Sequence, residues 1–266
     1  MCVAPAIGCG SNCVDVATDA ANCGACGYAC GAGSTCAQGA CAPVAVVSGV
    51  VAPYAFALDA TNLYFASPVV HLVGNAAQPL LKAPRGGGAA AILELPGQLT
   101  FRSRTLAIAG STLYFGNLAS PGALLRAPAA GGDVTTHAAS QGAIYFLVTQ
   151  GAHVWWSTFT GDTARVRRAT LDGTPVVEEL ASATPQFGQV PSLVAEGEGA
   201  QAVAYWVNRG GSSNLDNGLW RRTFEDGVTD PESLVEGGAM LQLGLGGGAI
   251  FVADAAQGIG RAEKTG

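Results

Sequence analysis

Five short stretches of one kind recur along this chain, and their spacing limits the folds it can take. Leu63-Tyr64-Phe65-Ala66-Ser67 is followed by Leu113-Tyr114-Phe115-Gly116-Asn117 and Val154-Trp155-Trp156-Ser157-Thr158. Ala204-Tyr205-Trp206-Val207-Asn208 and Ile250-Phe251-Val252-Ala253-Asp254 complete the set. The leading aromatic recurs after 50, 41, 50 and 46 residues. Each copy is aromatic or β-branched and ends on a small or polar residue, which is strand composition. Strands repeating at such intervals indicate a β-propeller, one copy per blade.

The flanks repeat as well. Short apolar segments precede the copies: FALD at 56–59, LAIA at 106–109, FLVT at 146–149, LVAE at 193–196 and LGLG at 243–246. Small side chains suit an inner strand, where blades crowd around the axis. A third segment with a basic residue follows each copy: LLKAP at 80–84, LLRAP at 124–128, VRRAT at 166–170, LWRRT at 219–223 and IGRAE at 259–263. Glycine turns come next, at 86–87, 131–132, 172–173 and 226–227, and then a fourth strand. The fifth repeat lacks that last strand. Ala42–Val47, APVAVV, resembles Thr174–Glu179, TPVVEE, and is the candidate to supply it. The expectation is an all-β chain with a five-bladed β-propeller at 43–266, its ring closed by the N-terminal strand. A truncated six- or seven-bladed ring is the alternative.

All eight cysteines fall before residue 42: Cys2, Cys9, Cys13, Cys23, Cys26, Cys30, Cys36 and Cys41. A dense, even set confined to one end predicts a disulfide-stapled module over 1–42 and an oxidising compartment, extracellular, cell-surface or periplasmic. Zinc is the weaker reading, because Cys23-x-x-Cys26 has no second such pair and the segment has no histidine. The spacing does not choose a disulfide pairing. Met1 leads directly into Cys2, without the basic start and apolar core of a secretory signal, so export implies a leader removed or a start elsewhere. The uncharged run at 42–58 is short and holds Pro43, Gly49 and Pro53, so strands are expected there and no membrane span.

A net charge of −6 argues against nucleic acid, which needs clustered Lys and Arg. Hydrolase, zinc-protease and phosphate-loop motifs are absent from the sequence. GLGGGA at 244–249 fits a dinucleotide fingerprint only formally, since a strand follows it rather than a helix. His71, His137 and His153 fall at different radii of the blade pattern, which predicts no shared metal site. No cofactor is expected. Asn214, Asp216 and Asn217 could at most form a weak calcium loop, with an Asx turn the simpler reading. Lys82, Arg126, Arg168, Arg221 and Arg261 form a basic ring expected to lie along strand surfaces. The loops of one face hold the residues best suited to contact a ligand: His71, Phe101, Arg102, Arg104, Phe187 and Arg209. The expected function is binding of a protein, peptide or glycan by this face. An extracellular glycan lyase or hydrolase and a structural matrix protein are the alternatives, and no catalytic residue is assigned.

Two resemblances sharpen this reading. Tyr205-Trp206-Val207-Asn208 and Tyr114-Phe115-Gly116-Asn117 make the repeat resemble the YWTD propellers of LDL-receptor-type proteins and related bacterial propellers. That family usually has six blades. Asp19-x-x-Asn22-Cys23-Gly24-x-Cys26-Gly27 lies within a segment similar to the cysteine-rich module of plant stigma-specific proteins. The resemblance implies secretion or surface exposure and no catalytic residue.

Overall fold

The computed structural model describes residues 2–50, 53, 55–67, 79–96, 105–117, 121–160, 163–182, 189–209, 217–224, 231–238 and 240–264. The chain divides into two compact units, Met1–Ser48 and Gly49–Gly266. Among the described residues the only helical turn is a 3-10 turn at Gly199–Gln201.

The first unit holds two small hairpins, β1 (Ile7–Cys9) with β2 (Asn12–Val14) and β3 (Cys36–Ala37) with β4 (Ala40–Cys41). So little strand cannot bury a core, and covalent links replace it. All eight cysteines are paired: Cys2–Cys13, Cys9–Cys26, Cys23–Cys36 and Cys30–Cys41. The sulfurs of Cys23, Cys30 and Cys41 lie within 4.8 Å of one another, yet each is in a disulfide, so none offers the thiolate a zinc ion needs. The polar residues of the motif hold its turns. Asp19 Oδ1 accepts the Ala21 N–H at 2.7 Å, and Asn22 Oδ1 accepts the Gly27 N–H at 2.8 Å. Gly24 has φ +77°, and a Cβ there would lie 2.5 Å from the Gly39 carbonyl oxygen. Two chain segments therefore meet at a point where only glycine fits.

The second unit is a five-bladed β-propeller. Blade one is β5 (Ala55–Leu58), β6 (Asn62–Ala66), β7 (Leu80–Pro84) and β8 (Ala91–Ile92). Blade two is β9 (Leu106–Ala109), β10 (Thr112–Gly116), β11 (Ala123–Pro128) and β12 (Thr135–Ala139). Blade three is β13 (Ala143–Gln150), β14 (His153–Thr160), β15 (Thr163–Thr170) and β16 (Val177–Ser182). Blade four is β17 (Gln189–Glu196), β18 (Val203–Arg209), β19 (Gly218–Thr223) and β20 (Glu232–Glu236). Blade five has three strands, β21 (Met240–Gly246), β22 (Ala249–Asp254) and β23 (Gly258–Glu263). Within each blade, consecutive strands pair antiparallel.

Register turns the sequence repeat into a spatial one. The aromatic of the second strand faces the basic residue of the third in every blade: Tyr64 with Lys82, Tyr114 with Arg126, Trp155 with Arg168, Tyr205 with Arg221, Phe251 with Arg261. On its other side each aromatic faces a small or β-branched inner residue: Ala57, Ala107, Val148, Val194 or Gly244. In blade three the match to blade one begins at Leu147, one residue later than the FLVT alignment suggests.

Four clusters of buried side chains fill four interfaces. Tyr64 and Leu80 pack with Leu106 and Phe115 between blades one and two. Tyr114 and Leu124 pack with Ile144 and Trp156 between blades two and three. Trp155 and Val166 pack with Leu193 and Trp206 between blades three and four. Tyr205 and Leu219 pack with Leu243 and Ile250 between blades four and five. At Gly116 a Cβ would fall 2.5 Å from Ile144 Cβ, so glycine there sets how closely blade two meets blade three. No fifth cluster joins blade five to blade one among the described residues.

The closing strand expected at the N-terminus is a correction. Residues 42–48 take no strand conformation, and among the described residues the fifth sheet stops at β23. One difference from blade three is in side-chain chemistry. In blade three, Glu178 and Glu179 hold the fourth strand to the third through Arg168 at 2.7 Å and Arg167 at 3.0 Å. The corresponding positions of APVAVV are Val46 and Val47, which cannot pair with Arg261.

Two outcomes follow. The oxidised chain should be eight hydrogens lighter than the reduced chain by mass, with no thiol open to alkylation before reduction. Leu193→Ser should destabilise the propeller by about 2–5 kcal/mol, as loss of a buried leucine does. Phe56→Ser, at the equivalent place in blade one, should change the melting midpoint little, because Phe56 is 69% exposed.

Candidate functional site

The inner strands of blades one, two and three line an open cavity of about 480 Å³. Blades one, two and three each contribute four consecutive residues on or beside the inner strand to its wall, and blade five contributes Gln242. Phe56, Ile108 and Phe146 supply apolar surface, while Thr105, Thr149 and Gln242 supply hydroxyl and amide groups. Thr149 Oγ1 donates to the Ile108 carbonyl at 2.7 Å, tying blade three to blade two inside the wall. None of the described lining residues is ionisable. Such a wall can hold a ligand by apolar contact and neutral hydrogen bonds.

A smaller cleft of about 220 Å³ lies between the segment around Val235–Met240 and strands β22 and β23. Glu236, Asp254, Gln257 and Arg261 give it a polar rim. Asp254 is engaged in its own turn, since its Oδ1 accepts the Ala256 and Gln257 N–H groups at 2.8 and 3.0 Å.

The perturbed groups elsewhere serve structure. The Thr61 N–H, at 2.7 Å, holds the Asp59 carboxyl well below the usual carboxylate range, with the Asn62 N–H and the Tyr64 hydroxyl acting in the same sense. Burial, then Asp59, pushes the Tyr64 hydroxyl up to about 12. Tyr205 is pushed to about 12 by burial and by Glu196, whose Oε1 accepts its hydroxyl at 3.1 Å. These tyrosines clamp the hairpin between first and second strands. His137 is buried against Tyr114, edge to face with centroids 5.3 Å apart, and its Nε2 lies 2.9 Å from the Thr170 carbonyl, so that nitrogen carries the proton. Burial lowers the pKa of His137, and burial with Arg168 lowers that of His153.

His71, Phe101, Arg102, Arg104 and Phe187 lie outside the described residues, as do Asn214 and Asp216 of the calcium candidate. Arg209 ends strand β18, and its side chain lies outside the described set. The residues that the sequence reading did not single out are those of the cavity wall, Phe146, Thr149 and Gln242 above all. The signal for them was position on the inner strand, not residue type. The basic ring lies on third strands. Arg168 stacks 3.7 Å from the Phe224 ring centroid and 5.2 Å from that of Trp155, while Lys82 sits 5.5 Å from that of Tyr64. Ser67, Thr158 and Asn208, at the ends of second strands, are buried.

Fold and module together define a disulfide-bonded β-propeller protein. Its first unit is matched over residues 1–48 by the Stigma-specific STIG1-like protein family. The propeller is similar to solved structures that share the fold. One is that of the nidogen/laminin complex, 13% identical, with TM-score 0.58 over 77% of this chain and 73% of that one. A second is a putative 6-phosphogluconolactonase from Bacteroides uniformis, 15% identical, with TM-score 0.56 over 84% and 70%. A third is Sqt1 of Saccharomyces cerevisiae, 11% identical, with TM-score 0.50 over 80% and 62%. Propellers of this shape thus occur in binding proteins and in enzymes. No curated protein matches the chain.

His137 and His153 set a pH dependence. Their folded pKa lies below the ordinary value of 6.5, so the unfolded chain takes up protons first as pH falls. Their stabilising contribution is complete above about pH 6.5 and is lost as pH falls from there through the folded pKa values. The melting temperature should therefore drop between pH 7 and pH 5. His137→Asn, which keeps a donor for the Thr170 carbonyl, should make that drop shallower.

Proposed function

We propose that this protein is a secreted or cell-surface binding module. Its propeller recognises a protein, peptide or glycan over the loop face and the mouth of the central cavity. The observation that carries the reading is the neutral cavity wall, in which apolar faces alternate with hydroxyl and amide groups. Mostly apolar concavities with a few placed polar groups are the usual form of a recognition site. The four disulfides support an oxidising location, since such links persist outside the reducing cytosol. No helix among the described residues is long and apolar enough to cross a membrane.

The test is a thermal-shift screen of the oxidised protein against peptides, glycans and cell-wall fragments. A ligand that binds only the folded state raises the melting temperature, by about 2.7 kcal/mol of added stability at one hundred times its Kd. The expected result is one chemical class that shifts the wild type and fails to shift Gln242→Trp, in which an indole occupies the cavity. A shift equal in both proteins would place recognition away from the cavity mouth. Silence across the panel would remove the reading.

A further inference from the structure

Two of the four disulfides in the first unit stand side by side. The sulfurs of Cys23, Cys30 and Cys41 lie within 4.8 Å of one another, which brings the Cys23–Cys36 bond against the Cys30–Cys41 bond. Among the described residues, no sulfur of Cys2, Cys9, Cys13 or Cys26 joins that group. The two bonds differ in access. Cys23 is buried, while Cys30, Cys36 and Cys41 are half-buried. Solvent therefore reaches the Cys30–Cys41 bond at both ends and the Cys23–Cys36 bond at one.

The same four cysteines are placed for a second pairing. Cys36 and Cys41 stand directly opposite each other in the hairpin of β3 and β4. Opposite residues of antiparallel strands have Cα atoms about 4.5–5.5 Å apart and side chains on one face. A disulfide spans Cα separations of about 4.4–6.8 Å, so this cross-strand pair is within range. The remaining two, Cys23 and Cys30, have sulfurs within 4.8 Å. Backbone bonds hold both ends of the loop between them, since the Cys23 N–H donates to the Tyr28 carbonyl at 2.7 Å and the Cys30 N–H to the Ala20 carbonyl at 2.8 Å. The present links fasten the hairpin to the preceding loop twice. The second pairing closes the loop on itself and the hairpin on itself. Contacts such as the Gly39 N–H on the Ala17 carbonyl, at 3.1 Å, must then hold the hairpin in place.

We propose that these four cysteines form a thiol-triggered exchange site, in which Cys23–Cys36 and Cys30–Cys41 convert to Cys23–Cys30 and Cys36–Cys41. The trigger is a small thiol acting as its thiolate. It attacks the Cys41 sulfur, forms a mixed disulfide there and expels Cys30 as a thiolate. Cys30 attacks the neighbouring Cys23 sulfur, forms Cys23–Cys30 and expels Cys36. Cys36 attacks Cys41 across the hairpin, forms Cys36–Cys41 and releases the small thiol. Three S–S bonds break and three form, the thiol is recovered, and no electron is gained or lost overall. Burial of Cys23 sets the order, because a sulfur already inside the module reaches it and solvent does not. The exchange switches the hairpin between a fastened and a released form. It lies within the first unit and does not depend on the ligand of the propeller.

The test treats the full oxidised protein with a substoichiometric amount of reduced glutathione and stops the reaction with iodoacetamide. Digestion without reduction uses elastase, which cuts at small residues, because no Lys or Arg precedes Lys82. Mass spectrometry then sequences the linked peptides. The expected result is that Cys23–Cys30 and Cys36–Cys41 appear together in equal amounts, while Cys2–Cys13 and Cys9–Cys26 stay intact and the protein mass is unchanged. The rate should fall about tenfold for each pH unit below about 8.5, the pKa of an ordinary thiol, as the thiolate fraction falls. A double variant, Cys36→Ser with Cys41→Ser, gives a second reading: once oxidised it should carry Cys23–Cys30 and no free thiol. Absence of the two new pairs, or new pairs that draw in Cys2, Cys9, Cys13 or Cys26, would overturn the proposal. Two free thiols in a double variant whose other two disulfides are intact would do the same.

Discussion

The propeller depends on one row of contacts repeated in blades one to four: a small or β-branched inner residue, an aromatic, a basic residue, and a fourth-strand partner. The inner residue must be narrow, because it stands directly beside the aromatic near the axis, where neighbouring inner strands converge. The aromatic supplies the bulk that the next blade packs against. A fully buried ring of this size contributes about 1.5–3 kcal/mol by removal from water alone. In blades one and three the basic side chain also lies over the ring face, an attraction of about 0.5–1 kcal/mol when exposed and about 2 when shielded. Arg168 illustrates the shielded case, being buried between the rings of Trp155 and Phe224 with its head on Glu178. One row thus links all four strands of a blade and also makes the interface to the next.

This row explains what could be read from the sequence. The aromatic anchors were visible because strand composition recurs at intervals of 41 to 50 residues, and the basic residues were visible because they recur with it. Their meaning was not, since solvated strand arginines and arginines stacked on rings look alike without register. The cysteine module was legible by density and by its Asp19, Asn22 and Gly24 pattern, while its pairing required coordinates. The closing strand failed for an instructive reason. APVAVV matches a fourth strand in hydrophobicity, but the match ignored the two glutamates that hold β16 in place. Hydrophobic pattern proposes a strand, and opposite charge on its neighbour adds to the pairing in blades three and four.

The cavity wall was hidden for a different reason. Sequence reading favours arginine and aromatic residues in loops, because these dominate binding hot spots. Thr149 and Gln242 have no such mark. They matter through position, on inner strands whose side chains meet around an axis. The same geometry accounts for the two tyrosines held near 12, Tyr64 and Tyr205. Each is buried against the next blade and donates to a carboxylate in its own hairpin, so its strong perturbation reports a clamp rather than a reactive phenol.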